Sequence, residues 1–530
     1  MKTIHQYLLI IVGFIVLSGC EDFLEEENRQ SLTDANAFEN PEVFDQLVVN
    51  VYSQYREAFM DFQMEFMGTD MATREALVAG VSELNDYVNI ATDNGTIRDY
   101  WTRYYKVIDA ANTVVSRVDQ IAGVTESQRE VGLAEAKFFR AFAYFHLVEH
   151  FSDVPLIVEE VTSAEFSYTR TPEADVYNQV VMDIDEAIAN LPNEVDVYGR
   201  LTKDAARHLK SKILLTRGYK SYREETDFSE AAALAETVIA NRPLVDSFEL
   251  LTAIGNQRNS EVILSMLFGT EAIAQGDGVG ADGNARHQLF KFTYDIYPGL
   301  NRSSIYGRGS GISLTPQYFD LFEAGDERES ATLRRVIYAL EDDGEIMVGD
   351  TAVFFPREPW SEAEKAAVPY TVINEDEYYI PNGFTPVHYP MFQKFDDPTV
   401  PYGDAGGFRD AVIFRSGEAY LIAAEAYLGA GDASQAAEYI NTLRNRAGLG
   451  NITANDVTVD LILNESAKEL LGEVSRWMDL KRTGRLIDRV LAFNPHAALN
   501  NTLEAKHLVR PIPQSEIDLT DGLTQNEGYQ

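Results

Sequence analysis

Residues 146–150 read His-Leu-Val-Glu-His, and two histidines four apart on a helix share a face, the spacing that two zinc ligands need. In this inverted H-x-x-E-H order Glu149 would serve as general base for peptide hydrolysis. A helix end whose histidines meet the negative pole of the helix dipole explains the same residues without any chemistry. No third ligand with supporting context stands out, so a zinc metallopeptidase using His146, Glu149 and His150 is kept only as the enzymatic alternative. The run Gly278 to Gly283 fits G-x-G-x-x-G, but the strand and helix that would bring a pyrophosphate to it are missing, and a loop is expected. Acid pairs such as Asp183 with Asp185, or Asp396 with Asp397, have the chemistry of a glycosidase or a Ca²⁺ site; with 84 acids in the chain such pairs arise by chance. No metal or cofactor is therefore expected, and a structural Ca²⁺ has no support.

The aromatic residues point elsewhere. Between 269 and 410, Tyr294, Tyr297, Tyr306, Trp360, Tyr370, Tyr378, Tyr379 and Tyr389 are mixed with Asn, Asp and Arg. Flat rings match the apolar faces of sugars, while amide, carboxylate and guanidinium groups bond the hydroxyls. The stretch from Arg74 to Asn94 has a similar composition. The expected ligand contacts are Arg74, Asn85, Tyr87, Asn89, Tyr294, Tyr297 and Trp360, with core packing as the competing explanation for any single ring.

Such residues need a scaffold, and from about residue 38 the pattern is helical. Trp101, Tyr104, Tyr105, Ile108, Ala111, Val115 and Val118 recur at spacings of three and four, as do Ala134, Phe138, Ala141, Phe142, Phe145 and Val148 in a helix of about 132–150. Thr171-Pro172-Glu173 reads as a cap and first turn of a helix ending near Leu191. Residues 202–222 with 230–240, and 415–428 with 433–446, each read as helix, turn, helix with alanines at the crossings, and Asp432 with Gln435 can cap the last. That is the tetratricopeptide pattern, for which a plain helical hairpin is the simpler alternative. The fold class is therefore mainly α: a scaffold of tetratricopeptide-like helix pairs over 34–268, a long irregular, loop-rich ligand-binding insertion over 269–410 where Gly and Pro become frequent, and a helix pair and tail over 411–530.

The amino terminus speaks for location. Lys2, the apolar run Tyr7 to Leu17 and Leu17-Ser18-Gly19-Cys20 read as a signal peptide over 1–19 with a lipobox, its Cys20 being the lipid-attachment residue. Cys20 is the only cysteine, so no intramolecular disulfide can form. An acidic tether over 20–33 follows. The formal charge of −40 repels phosphate backbones and argues against nucleic acid as a partner.

Several blocks together resemble one family. They are Ala134-Glu135-Ala136-Lys137-Phe138 continuing to Asp153-Val154-Pro155-Leu156, Gly199-Arg200-Leu201-Thr202, Phe414-Arg415-Ser416-Gly417-Glu418-Ala419-Tyr420, Asn441 to Gly448, Glu473 to Arg482, and the end from Pro511-Ile512-Pro513 to Gly528-Tyr529. In this order, from Cys20 to the carboxyl terminus, they are similar to the SusD/RagB nutrient-binding outer-membrane lipoproteins. The resemblance implies a non-catalytic, surface-exposed, lipid-anchored protein that binds oligosaccharides or other nutrients and sits as a lid on a SusC-like TonB-dependent outer-membrane importer. It also implies that Arg415, Glu418, Arg444, Arg476 and Asp479 are buried ion pairs between helices. Glu465-Ser466 stands where the family often has Glu-Arg, and Asp204 where it has a glycine. The third class left open is a peptide-binding helical-repeat scaffold.

Overall fold

Helices Glu42–Phe59 (α1) and Gly95–Arg117 (α2) open a layered array in a computed structural model that describes residues 40–59, 62–74, 81–269, 283–309, 311–378, 388–404 and 406–529. The signal peptide, Cys20, the tether, Tyr379 and the Gly278 run up to Asp282 lie outside the described residues. Asn94 caps α2 by accepting from the Ile97 amide, and the helix buries Ile97, Tyr100, Trp101, Tyr104, Ile108 and Ala111 on the expected face. Glu126–Phe151 (α3) starts with a reciprocal Thr125/Gln128 capping box. Its apolar stripe was expected on one face, yet every residue from Phe138 to Phe151 is buried. The reason is position: α1, α2 and Glu173–Asn190 (α4) all pack on it. Helix α4 has Pro172 at its cap position, and its first amide is satisfied from a distance, by Asp153 accepting from Glu173 N at 2.8 Å.

The two repeat-like stretches become Lys203–Arg217 (α5) with Asp227–Asn241 (α6), and Ser416–Gly429 (α7) with Ala433–Arg446 (α8). Asp432 caps α8 through the Gln435 amide at 3.0 Å, as its spacing suggested. The pairs stack in order, α6 lying directly on α7, so the array runs α1 to α8 as four helix pairs although 174 residues separate α6 from α7 in the chain. Buried alanines 231, 232 and 235 of α6, and 419, 423, 424 and 426 of α7, permit the close approach. Asp204, at the family's glycine position, accepts from Asn241 at 3.0 Å and pairs with Arg242 at 3.3 Å, tying the end of α6 to the start of α5.

Gly132 lies where α3 crosses α1, and a Cβ there would stand 2.5 Å from the buried Phe44 ring. Gly132→Ala should therefore cost about 1–3 kcal/mol, as over-packing of a close-packed core does. Urea denaturation measures this, and an unchanged midpoint would show that Phe44 can move.

Between α6 and α7 the chain leaves the array along strand Val262–Met266 and returns along Ala411–Arg415, and these two strands pair antiparallel, Val262 opposite Arg415 and Met266 opposite Ala411. Among the described residues the insertion they bound contains short helices and short strands, including Ile312–Leu314, paired with Ala72–Arg74, and a three-stranded sheet of Val336–Tyr338, Thr351–Phe354 and Thr371–Val372. Helices Val459–Leu470 (α9), Arg476–Arg482 (α10) and Leu486–Phe493 (α11) follow the array, and the tail returns to α3, with Arg510 N donating to His150 O at 2.7 Å.

The charges read as ion pairs are paired, and Arg328 links the Arg415 and Arg444 groups by reaching both Glu469 and Glu465. Arg415 meets Glu261, Glu469 and Glu473; Glu418 meets His208 and Lys212; Arg444 meets Glu323 and Glu465; Arg476 meets Asp70; and Asp479 meets Arg482.

Candidate functional site

Strand Ala72–Arg74 pairs with Ile312–Leu314, Arg74 opposite Ile312, so the stretch after residue 74 and the insertion, far apart in sequence, meet at one edge. There Arg74 Nε donates to Asp86 at 2.9 and 3.2 Å, and Asn85 Nδ2 donates to Asp86 at 2.9 Å. Asn494, just beyond α11, gives its amide protons to the Thr69 and Ala72 carbonyls and to Asn85 Oδ1, at 3.0–3.1 Å. The backbone at this corner is unusual: Tyr87, Asn89 and Asn501 have φ of 54°, 51° and 51°. Left-handed backbone is tolerated by Asn but costly for Tyr, and strain of this kind collects where structure serves function.

The expected contacts divide. Asn89 is exposed, and Tyr297 and Trp360 are half-buried at the surface of the insertion. Tyr297 hydrogen-bonds His388 Nδ1 at 2.6 Å, and Trp360 rests edge-on against Phe354 with its backbone clamped by Asn374 on both sides at 2.9 Å. Tyr87 and Tyr294 are corrections: each is 1 % exposed. Tyr87 donates to Gly68 O at 2.6 Å, under His507 and Arg510, and Tyr294 is tied to the Ser303 backbone at 3.0 Å. Their ring faces are covered by protein and not offered to a sugar. Asn85 is likewise fully buried, and the Arg74 side chain is mostly buried against Asp86, so this pair shapes the corner from beneath. Tyr338, 52 % exposed on the outer face of the insertion's sheet, was missed. The alternation of Val336-Ile337-Tyr338 was the available signal, too short to separate a strand from a loop.

The H-x-x-E-H motif is split by its helix. His146 and His150 both face Glu65, with Nδ1 and Nε2 at 3.3 and 3.7 Å from Oε1, and Tyr100 donates to the same Glu65 oxygen at 2.7 Å. Burial lowers the His150 pKa to about 4. Glu149 points elsewhere, accepting from Tyr177 at 2.6 Å and pairing with Lys220 at 2.7 Å. Burial raises its pKa, but the charges of Lys220 and Lys481 outweigh that and hold it at about 2. A base so neutralised, with no solvent exposure, has no substrate to act on, and the peptidase reading loses its catalytic group.

The chain thus combines a layered array of helix pairs with a loop-rich insertion that carries partly exposed rings. Two family patterns match: one described as "SusD family" over residues 293–529, and one as "Starch-binding associating with outer membrane" over residues 22–215. SusD-like protein P25 of Formosa agariphila is 25 % identical over 98 % of this chain and 99 % of its own. Among solved structures, a laminarin-binding SusD-like protein superposes with a TM-score of 0.69 at 24 % identity, over 93 % of this chain and 100 % of that one. A SusD homologue from Bacteroides thetaiotaomicron gives 0.72 at 19 %, over 93 % and 99 %. The chain belongs to the SusD family.

Proposed function

We propose that this protein captures oligosaccharides at the cell surface and delivers them to a SusC-like TonB-dependent importer, held at the outer membrane by a lipid on Cys20. The observation that carries the binding part is that Trp360, Tyr297 and Tyr338 have exposed or half-exposed rings on the insertion, and Asn89 is exposed too, within a family whose pattern is described as starch-binding. Rings of this kind stack on sugar faces, and Asn89 offers both a donor and an acceptor to hydroxyls. In this reading the ligand enters and leaves intact.

Calorimetry against a panel of oligo- and polysaccharides, laminarin and starch among them, tests the reading. Saturable binding to at least one glycan is expected, and Trp360→Ala, Tyr297→Ala and Tyr338→Ala should each weaken it about tenfold or more, the worth of one stacked ring. Unchanged affinity in all three folded variants would remove these rings from the site. Binding to no glycan would favour the peptide-binding scaffold instead.

A further inference from the structure

We infer that Glu65, His146 and His150 form a buried divalent-metal site, of the kind zinc fills, built into the helical array and separate from the sugar-contact surface. The three side chains come from a one-turn helix, Gln63–Phe66, and from α3, and their ligand atoms all lie within 4.8 Å of one another. A tetrahedral zinc with legs of about 2.0–2.2 Å sets its ligands roughly 3.3–3.6 Å apart. The separations from Glu65 Oε1 are 3.3 Å to His146 Nδ1 and 3.7 Å to His150 Nε2, and the Tyr100 hydroxyl, 2.7 Å from that oxygen and 2.9 Å from His146 Nδ1, stands between them, so an ion enters with Tyr100 turned aside or taken up as a further ligand.

Two independent features point the same way. His150 is fully buried, yet neither of its ring nitrogens has a hydrogen-bond partner, and Glu65 Oε2 has none either. Buried polar atoms are satisfied as a rule, so His150 Nε2, orphaned while it faces Glu65, calls for an occupant. Both imidazoles are also held rigidly. His146 is sandwiched between Tyr104 and Phe142, near-parallel at 5.1 and 4.5 Å, and His150 is stacked on Trp477 at 4.7 Å. Rings locked by packing are what a preorganised ligand set requires.

Space and charge fit a structural ion. A cavity of about 40 Å³, bordered by Glu65, His146, Arg286 and Glu473, adjoins the cluster and is large enough to hold a water as fourth ligand. One carboxylate and two neutral nitrogens suit zinc and its neighbours, whereas Ca²⁺ and Mg²⁺ need more oxygen donors. Arg510, stacked on Trp477 at 4.5 Å, adds positive charge on the His150 side and further disfavours an ion bound by charge alone.

The test uses the tag-free full-length chain, stripped with a chelator, then titrated with Zn²⁺ by calorimetry and with Co²⁺ by visible absorption. One ion per chain is expected, with the intense absorption of tetrahedral cobalt. His150→Phe, which keeps a ring on Trp477, and Glu65→Gln should each weaken binding at least tenfold. Absence of stoichiometric binding, an octahedral cobalt spectrum, or affinity unchanged in both variants overturns the assignment. Should the variants fail to fold, X-ray absorption of the zinc-loaded wild type decides: two imidazole ligands support the site, and one or none overturns it.

Discussion

Arg415→Met should destabilise the protein by about 3–5 kcal/mol, the cost of removing one partner from a buried ionic cluster. All five guanidinium protons of Arg415 are used: Nε and Nη2 on Glu473 at 2.6 and 3.1 Å, Nη1 on Glu261 and Glu469 at 2.6 and 2.7 Å, and Nη2 on the Glu469 carbonyl at 2.6 Å. Arg446 joins Glu261 and Glu469, and Lys394 joins Glu473, so three cations balance three carboxylates with the Arg415 side chain 2 % exposed. Methionine fills the space but leaves a buried net negative charge. The cluster joins the start of one neck strand, the insertion at Lys394 and the end of α9, so its loss should be felt in all three. Urea denaturation reads the effect, and a cost below about 1 kcal/mol would mean that water enters and screens the acids. Adding Glu473→Gln to Arg415→Met should recover part of the loss, because one uncompensated charge goes with it.

The second large effect is on acid stability. Burial raises the pKa of Glu418, but Lys212 and His208 hold it at about 2, and Glu149 is held at about 2 by Lys220 and Lys481. Glu469 is held well below its ordinary value in the same way, burial being overcome by Arg446 and Arg415. These folded-state values lie below the unfolded value of 4.5, so the unfolded chain takes up protons first as pH falls. Their stabilisation is fully present above pH 4.5 and is lost as pH drops towards 2. A depression from 4.5 to about 2 corresponds to roughly 3 kcal/mol for one such group, so denaturation at pH 7, 4.5 and 3 should show a stability that is steady and then falls steeply. A flat profile down to pH 3 would contradict the ion-paired state of these acids.

Local signals carried the array and failed where contacts are long-range. The Asp432 cap and the stripe of α2 depend on neighbours three and four residues away, so the chain itself displays them. The burial of α3 on every side follows from three helices arriving from elsewhere. Tyr87 and Tyr294 have the residue type and polar company of sugar-binding rings, and their hydroxyls are satisfied by carbonyls that pattern alone does not locate. Glu65 stands 81 positions before His146, at a spacing no motif describes. Tyr338 and the meeting of Arg74 with Ile312 depend on strand pairings of three residues each, too short for periodicity to mark.

The antiparallel neck of Val262–Met266 with Ala411–Arg415 bears on how this protein can change over generations. Because the two ends of the insertion are fastened side by side, what lies between them closes a loop already paid for by the neck. Doubling the length of such a loop costs only about 0.6 kcal/mol in closure entropy. The segment's length and rim can therefore be rewritten between its fixed points, while the strand Ile312–Leu314 and Lys394 keep it fastened to the rest of the chain. Change is then concentrated between the two strands of the neck, with Arg415 as their latch.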